Sequence, residues 1–444
     1  MSALSLRRVG PRTRTRSGSQ PIEYNLLLTA TLCLVAFGIV MVFSASSTTA
    51  LLGQSGDSAY YLKRTLVIGA IGLVLMRVLS VRGARVMRPL TGLLLAASFA
   101  LLLAVMLPGI GSSANGAQRW IAAGPFQVQP SELAKLALIL YGANLLALRP
   151  RMTRQIRTLV PYLAVVGTGC LLMMAEPDLG TAVVVCLSTA ALLVAAGAKL
   201  RHMLILGAAL AAVVLLAILV EPYRTQRLTG FLHPAGDASG AGFQAIQAKI
   251  AMGSGGIFGV GLGQSLEKAF YLPEAHTDMI AAVIGEELGF VGIAALLGLF
   301  GLYGYAGLRT AQRARDRYAK LLAAGLTSMV LIQAIVNLFA VMGLAPLTGV
   351  PLPFVSYGNS SLLVMLASTG LLLNIAKGGT AAAPARRGTG AARLRVVDGG
   401  QFARGTASAA AGRSTSKRAK SGDSRRGERG TRRTSAGRRR RAAR

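Results

Sequence analysis

The chain has 444 residues, 53% of them hydrophobic, a formal net charge of +32 and a mean hydropathy of +0.54. Such a balance excludes an ordinary soluble domain and implies repeated membrane-spanning helices. The charge does not indicate nucleic acid: 20 of the 48 Lys and Arg residues fall in 377–444, beside only Asp398, Asp423 and Glu428, with no aromatic interleaving.

The opening stretch, 1–22, is basic and polar, has no A-x-A-like cleavage site, and reads as a cytoplasmic tail. Ten apolar runs follow, at 25–45, 65–82, 89–107, 131–148, 158–175, 180–197, 203–220, 279–305, 321–343 and 360–376. With the N-terminus inside, alternate loops carry Arg77, Arg82, Arg85 and Arg88, then Arg149, Arg151, Arg154 and Arg157, then Lys199 and Arg201, then Arg309 to Lys320. Those loops hold a single acid, Asp316, whereas the opposite side holds 11 of the 16 acids. This asymmetry obeys the positive-inside rule at every loop. The expected fold is therefore an all-α polytopic bundle of about ten transmembrane helices, both termini cytoplasmic, with a long outward loop between helices 7 and 8. Three regions result: a basic tail (1–22), a membrane domain (23–377) and a low-complexity basic tail (378–444) expected to be disordered. On the cytoplasmic side that last tail suits anionic lipid head groups or an acidic partner. Cys33, Cys170 and Cys186 lie inside apolar runs at no metal-binding spacing and read as packed small hydrophobes. His202 reads as a surface residue at an inward helix end.

The unusual sequence is concentrated outward, in 108–130, 221–278 and 344–359, which are rich in Gly, Pro and aromatics. Within the second, "KIAMGSGGIFGVGLG" is too apolar for a solvated loop and too glycine-rich for a span. A helix followed by a re-entrant or interfacial segment, covered by protein so that its backbone groups stay paired, is expected there, the alternative being a flexible glycine loop. In "QPSELAKLALILYGA", Pro130 suits the first helical position. Glu132 and Lys135, one turn apart, form either a surface pair or a pocket lining. Arg119-Trp120 adds a cation beside the only Trp. In "AEPDLGTA", Glu176 and Asp178 either cap a turn or bind. Asp278 follows "PEAHT" at the mouth of an apolar run, with Glu274 and His276 before it and Glu286-Glu287 two turns deeper. A helix cap at Thr277 or Asp278 is one reading. A functional acid is the other, because carboxylates at membrane depth are costly. At least one of Glu286 and Glu287 faces the interior and needs a partner. "PLPFVSYGNSS" offers Ser356, Tyr357 and Asn359 for sugar or phosphate recognition, or for capping.

"EPDLGTA", "QPSELAKLAL", "GSGGIFGVGLGQS", "YLPEAHTD…AAVIGEELGFVG" and "PLTGVPLPFVSYG" together resemble, in order over 25–376, the shape, elongation, division and sporulation family. "LGQSLEKAFYLPEAHTD" is closer to the division branch than to the elongation branch. The resemblance implies a ten-helix glycosyltransferase of the bacterial cytoplasmic membrane that polymerises lipid II into peptidoglycan strands at the outer face, here at the division septum. It also implies a class B penicillin-binding protein and other division proteins as partners. The family's essential aspartate falls on Asp278, its Glu-Lys pair on Glu132 and Lys135, and its Arg-Trp on Arg119 and Trp120, with His276 and Ser356 as further substrate-binding candidates. Met279 and Ala281 stand where the family has phenylalanines, and Asn359 where it has glycine.

By this reading Asp278 is a general base for a sugar hydroxyl. Arg119, Lys135 or a divalent cation meets the pyrophosphate left on the undecaprenyl carrier. No cofactor is otherwise implied. The competing functions are an elongation polymerase, a lipid II flippase, whose charges would lie near the midplane, and a non-catalytic scaffold.

Overall fold

The structure, a computed structural model, describes residues 21–52, 56–109, 111–114, 117–123, 126–220, 222–233, 241–268 and 272–378. The basic tails expected at 1–20 and 379–444 lie outside the described residues. Helices α1 (Ile22–Leu52) and α2 (Tyr60–Val105) lead into three short strands, β1 (Gly111–Ala114), β2 (Ala117–Ala123) and β3 (Phe126–Val128). There follow α3 (Pro130–Leu148), a 3-10 turn at Pro150–Arg154, α4 (Ile156–Ala175), α5 (Leu179–Ala195) and α6 (Leu200–Val220). The outward region holds α7 (Pro222–Leu232) and α8 (Ala241–Ser254); α9 (Ile280–Arg313), α10 (Arg317–Val341) and α11 (Asn359–Ala376) complete the bundle.

Nine stretches among the described residues are long and apolar enough to cross a membrane, and α5 is a shorter apolar helix of 17 residues. At 1.5 Å per residue α5 is about 26 Å long, near the lower limit for a span. Counted with α5, the ten expected crossings are present. Two of them, Tyr60–Gly83 and Val86–Val105, belong to the single helical run α2. That run must reverse inside itself. Its start packs Tyr61 against His276 and Tyr357, while its end packs Val105 against β1, so both ends lie at the outer face. Its middle lies inside, where Arg88 donates to Asn144 at 3.1 Å and sits over the Tyr318 ring. Pro89 falls at this reversal. Down the first half, Gly72 and Gly83 admit Leu366 and Leu371 of α11, and Asn374 donates to the Ser80 carbonyl at 3.0 Å.

The first outward connection, rich in glycine, forms an antiparallel sheet in the order β1-β2-β3. Its register pairs Ala114 with Ala117 and Ile121 with Val128. The sheet is an addition to the all-α expectation, and it projects Arg119 and Trp120 from its middle strand.

The glycine-rich stretch after α8 is held on protein, as expected, through a break in α9. At Gly289 the backbone leaves the helix (φ 62°, ψ −158°), which exposes carbonyls and amides on either side. Val260 and Gly261 donate to the carbonyls of Glu286 and Glu287 at 3.0 Å each. Phe290 and Val291 donate to those of Gly256 and Ile257 at 2.9 and 3.1 Å. The two chains approach so closely that a Cβ on Gly259 (φ +79°) would lie 2.1 Å from the Glu287 carbonyl oxygen. Beneath this ladder both adjacent acids are buried and partnered. Glu286 accepts from the Leu266 amide at 2.9 Å and from the Ser265 hydroxyl. Glu287 accepts from Lys268 at 2.8 Å and from Ser44 of α1. These acids therefore anchor the segment, and their depth needs no catalytic explanation. A Gly259→Ala protein is expected to lose about 1–2 kcal/mol from the left-handed backbone alone, and more from the clash with the Glu287 carbonyl, read as a lower thermal midpoint in detergent. An unchanged midpoint would mean the ladder is not formed.

His202 departs from expectation. It is 1% exposed, and neither ring nitrogen has a partner among the described residues. The short link between α5 and α6 turns this first turn of α6 inward, whereas nearly all of α6 beyond it stays exposed.

Candidate active site

Several outward segments converge on one cavity of about 290 Å³, at the low end of small-molecule sites. Arg119 and Trp120 come from β2 and Arg227 from α7. Glu274 and Asp278 come from the turns before α9, and Pro351 and Ser361 from the last loop and α11. Asp278 does not cap α9. Met279 occupies that position and no side chain caps the helix, while the Asp278 carboxyl borders the cavity. Its backbone is fixed from behind by Asn337 of α10, whose amide donates to the carbonyls of Asp278 (2.7 Å) and Val350 (2.8 Å). Burial pushes Asp278 up to about 6. The Glu274 charge adds to this, while Arg227 and the Thr277 hydroxyl pull it down. The side chain is half-buried, so its carboxyl still opens on the cavity.

Arg119 lies across the turn between α4 and α5. It donates from Nε to the Glu176 carbonyl at 3.1 Å and from Nη2 to that of Pro177. Asp178, next in this turn, caps α5 by accepting from Thr181 at 3.2 Å. It also accepts from Ser131 at 2.8 Å and Gln129 at 3.1 Å. The capping reading thus holds for Asp178, which lines the cavity as well. Arg227 donates to the Leu347 carbonyl at 3.1 Å and so ties α7 to the last loop.

The other candidates sit behind the cavity. Glu132 and Lys135 are paired at 2.8 Å, each 1% exposed, and Lys135 also donates to Gln333 at 2.5 Å. Neither the surface pair nor the pocket lining expected of them is what forms: the cavity wall closes over both. Gln333 passes the link on, donating to the Pro351 carbonyl at 2.9 Å and to Ser361 at 3.3 Å. Ser356 is buried too, because its hydroxyl accepts from the Leu352 amide at 2.8 Å to close the PLPFVS turn. The His276 ring packs 4.4 Å from that of Tyr61 and 5.6 Å from that of Tyr357, and burial holds its imidazole below the ordinary value. His276 shapes the wall instead of facing the cavity. Among the described residues no three His, Cys, Asp or Glu side chains are grouped to hold a metal ion. The positive charge in the cavity is that of Arg119 and Arg227.

Residues 24–380 match the FtsW/RodA/SpoVE profile, described as cell cycle protein. The chain belongs to the FtsW/RodA/SpoVE family. It is accordingly an integral membrane protein, in agreement with its apolar helices. It is 41% identical over 346 residues to stage V sporulation protein E of Bacillus subtilis (strain 168), spanning 78% of this chain and 94% of that one. It is 42% identical over 356 residues to a Trichlorobacter lovleyi protein named probable peptidoglycan glycosyltransferase FtsW, spanning 78% and 92%. Among solved structures, one chain from a peptidoglycan synthase complex that coordinates polymerization and crosslinking superposes with a TM-score of 0.66 at 33% identity. It covers 80% of this chain and 98% of that one. The rod shape determining protein RodA of Thermus thermophilus gives 0.59 at 30% identity, covering 79% and 95%. The basic tail beyond residue 380 lies outside the family region.

Sequence reasoning missed Arg227, Gln333, Asn337 and Lys268. The two amides did leave a signal: Gln333 and Asn337 stand four residues apart, hence on one face, in an otherwise apolar span.

Proposed function

We infer that this FtsW/RodA/SpoVE member is a peptidoglycan glycosyltransferase that polymerises lipid II at the outer face of the cytoplasmic membrane. The observation that carries this reading is a carboxylate with a raised pKa, Asp278, in an outward cavity shared with Arg119 and Arg227. A donor acting outside the cell must bring its own leaving group, here a lipid pyrophosphate. The acceptor sugar hydroxyl attacks the anomeric carbon, Asp278 takes the hydroxyl proton, and the bond to the pyrophosphate breaks with inversion. Ionised Asp278 is the competent form, and a base with a pKa near 6 is well matched to neutral operation. Arg119 and Arg227 offset the charge that gathers on the departing pyrophosphate. The relatives named FtsW, and the solved complex that pairs polymerization with crosslinking, support two finer points: work at the division septum, and a crosslinking penicillin-binding protein of class B as partner.

The test is strand formation from labelled lipid II by purified protein, alone and with its class B partner. Glycan strands in either support the reading. Lipid II moved across vesicles with no strands would replace it with transport. At saturating lipid II the rate is expected to fall about tenfold per pH unit below about 6 and to level above it, as Asp278 ionises. Stability runs the other way. The raised pKa means the folded state holds the Asp278 proton more tightly than the unfolded chain. Its contribution is therefore largest below the ordinary carboxylate value and is lost as pH rises through about 6.

A further inference from the structure

Glu176 and Asp178 stand two residues apart in the turn beside the cavity, and the fold treats them oppositely. Asp178 accepts from Thr181, Ser131 and Gln129. Glu176 is 2% exposed, and both of its carboxyl oxygens are buried without a hydrogen-bond partner among the described residues. With no hydrogen bond to either oxygen, a carboxylate in that position is poorly solvated, so burial favours the neutral acid. Arg119 lies over the same turn, yet it reaches the backbone carbonyls of Glu176 and Pro177 and not the Glu176 carboxyl. Two of its donors hold the guanidinium in place on the cavity wall, and among the described residues no carboxylate is bonded to it.

We propose that Glu176 is a positioning residue for the anionic part of the substrate: carrying its proton, it leaves the charge of Arg119 to a pyrophosphate in the cavity, and losing it, it neutralises Arg119 in place. The inference rests on the proposed lipid-pyrophosphate substrate. The groups acting on Glu176 are Asp178, from the start of α5, and Arg119, from β2. On α3 the only charges, Glu132 and Lys135, are paired with each other, and Arg227, Glu274 and Asp278 belong to the other cavity segments. Burial pushes Glu176 up to about 8, the Asp178 charge adds to this, and Arg119 opposes it. Ionisation therefore begins just above neutral pH. It would convert a substrate-binding cation into an internal ion pair.

The experiment is calorimetric binding of a non-polymerisable short-chain lipid II analogue to the full-length protein. As a pyrophosphate diester, its anionic centre keeps a constant charge between pH 7 and pH 9. Wild-type affinity is expected to weaken about tenfold by pH 9, when about a tenth of the protein still carries the proton. Glu176→Gln, which cannot ionise, is expected to bind at pH 9 about tenfold more tightly than wild type does at that pH. Arg119→Gln is expected to weaken binding at both values and to erase their difference. If wild-type affinity is flat from pH 7 to pH 9, or if the alkaline weakening persists in Glu176→Gln, the inference is wrong while the polymerase reading stands. No binding at either pH would overturn both. The wild-type titration and the Arg119→Gln protein decide the matter even if Glu176→Gln does not fold.

Discussion

Asp278→Asn is expected to slow strand formation by about 10²–10⁴-fold, a rise of roughly 3–5 kcal/mol in the activation barrier, with the protein still folded. Asn keeps the size of the side chain and its capacity to accept from Thr277, but it cannot take a proton from an attacking hydroxyl. The fold should survive because Asn337 grips the backbone carbonyl of residue 278, which the substitution leaves in place. Removing a group that is costly to charge should even raise the thermal midpoint slightly above pH 6, where wild type carries the carboxylate. Two readouts therefore separate a base from a structural acid. The residual rate of Asp278→Asn should not vary with pH between about 5 and 7, and its affinity for lipid II should stay within a few-fold of wild type. A wild-type rate, or a rate that still tracks an ionisation near 6, would remove Asp278 from the chemistry.

Much of the bundle was legible because two independent signals, apolar length and the distribution of Arg and Lys, agree at every crossing. What remained hidden was tertiary. Gly289 sits in "EELGFVG" as an ordinary helical glycine would, and only the arrival of residues 256–261 makes the break there useful. Lys268 lies in a loop with no periodicity, and its partners, Glu287 and Ser44, come from α9 and from α1, 224 residues away. The cavity is similarly composite. Arg119, Arg227 and Asp278 carry charge that a reader can flag, but no spacing says that β2, α7 and the mouth of α9 meet. Buried pairs mislead in a further way. Lys135 inside an apolar run reads as a pocket cation, because a sequence shows the cost of burial without showing the partners that offset it.

That difference makes Lys135 the site of the second large effect. Lys135→Met is expected to destabilise the protein by about 3–5 kcal/mol, since it strands Glu132 as a buried, unpaired carboxylate. Glu132 has little in reserve, as its Oε2 already lacks a partner among the described residues. A lysine that lined the cavity would behave differently. Its loss would weaken lipid II binding and leave the thermal midpoint nearly unchanged. Lys135 is instead sealed at 1% exposure and bound to Glu132 and Gln333, and Gln333 in turn holds the Pro351 carbonyl at the cavity wall. Activity should therefore fall through the wall: turnover drops together with the midpoint, and both recover in part in a Glu132→Gln/Lys135→Met protein, where no carboxylate is left to bury. A midpoint that holds while lipid II affinity falls at least tenfold would put Lys135 on the substrate after all, and would mean that the Glu132–Lys135 pair opens in the working enzyme.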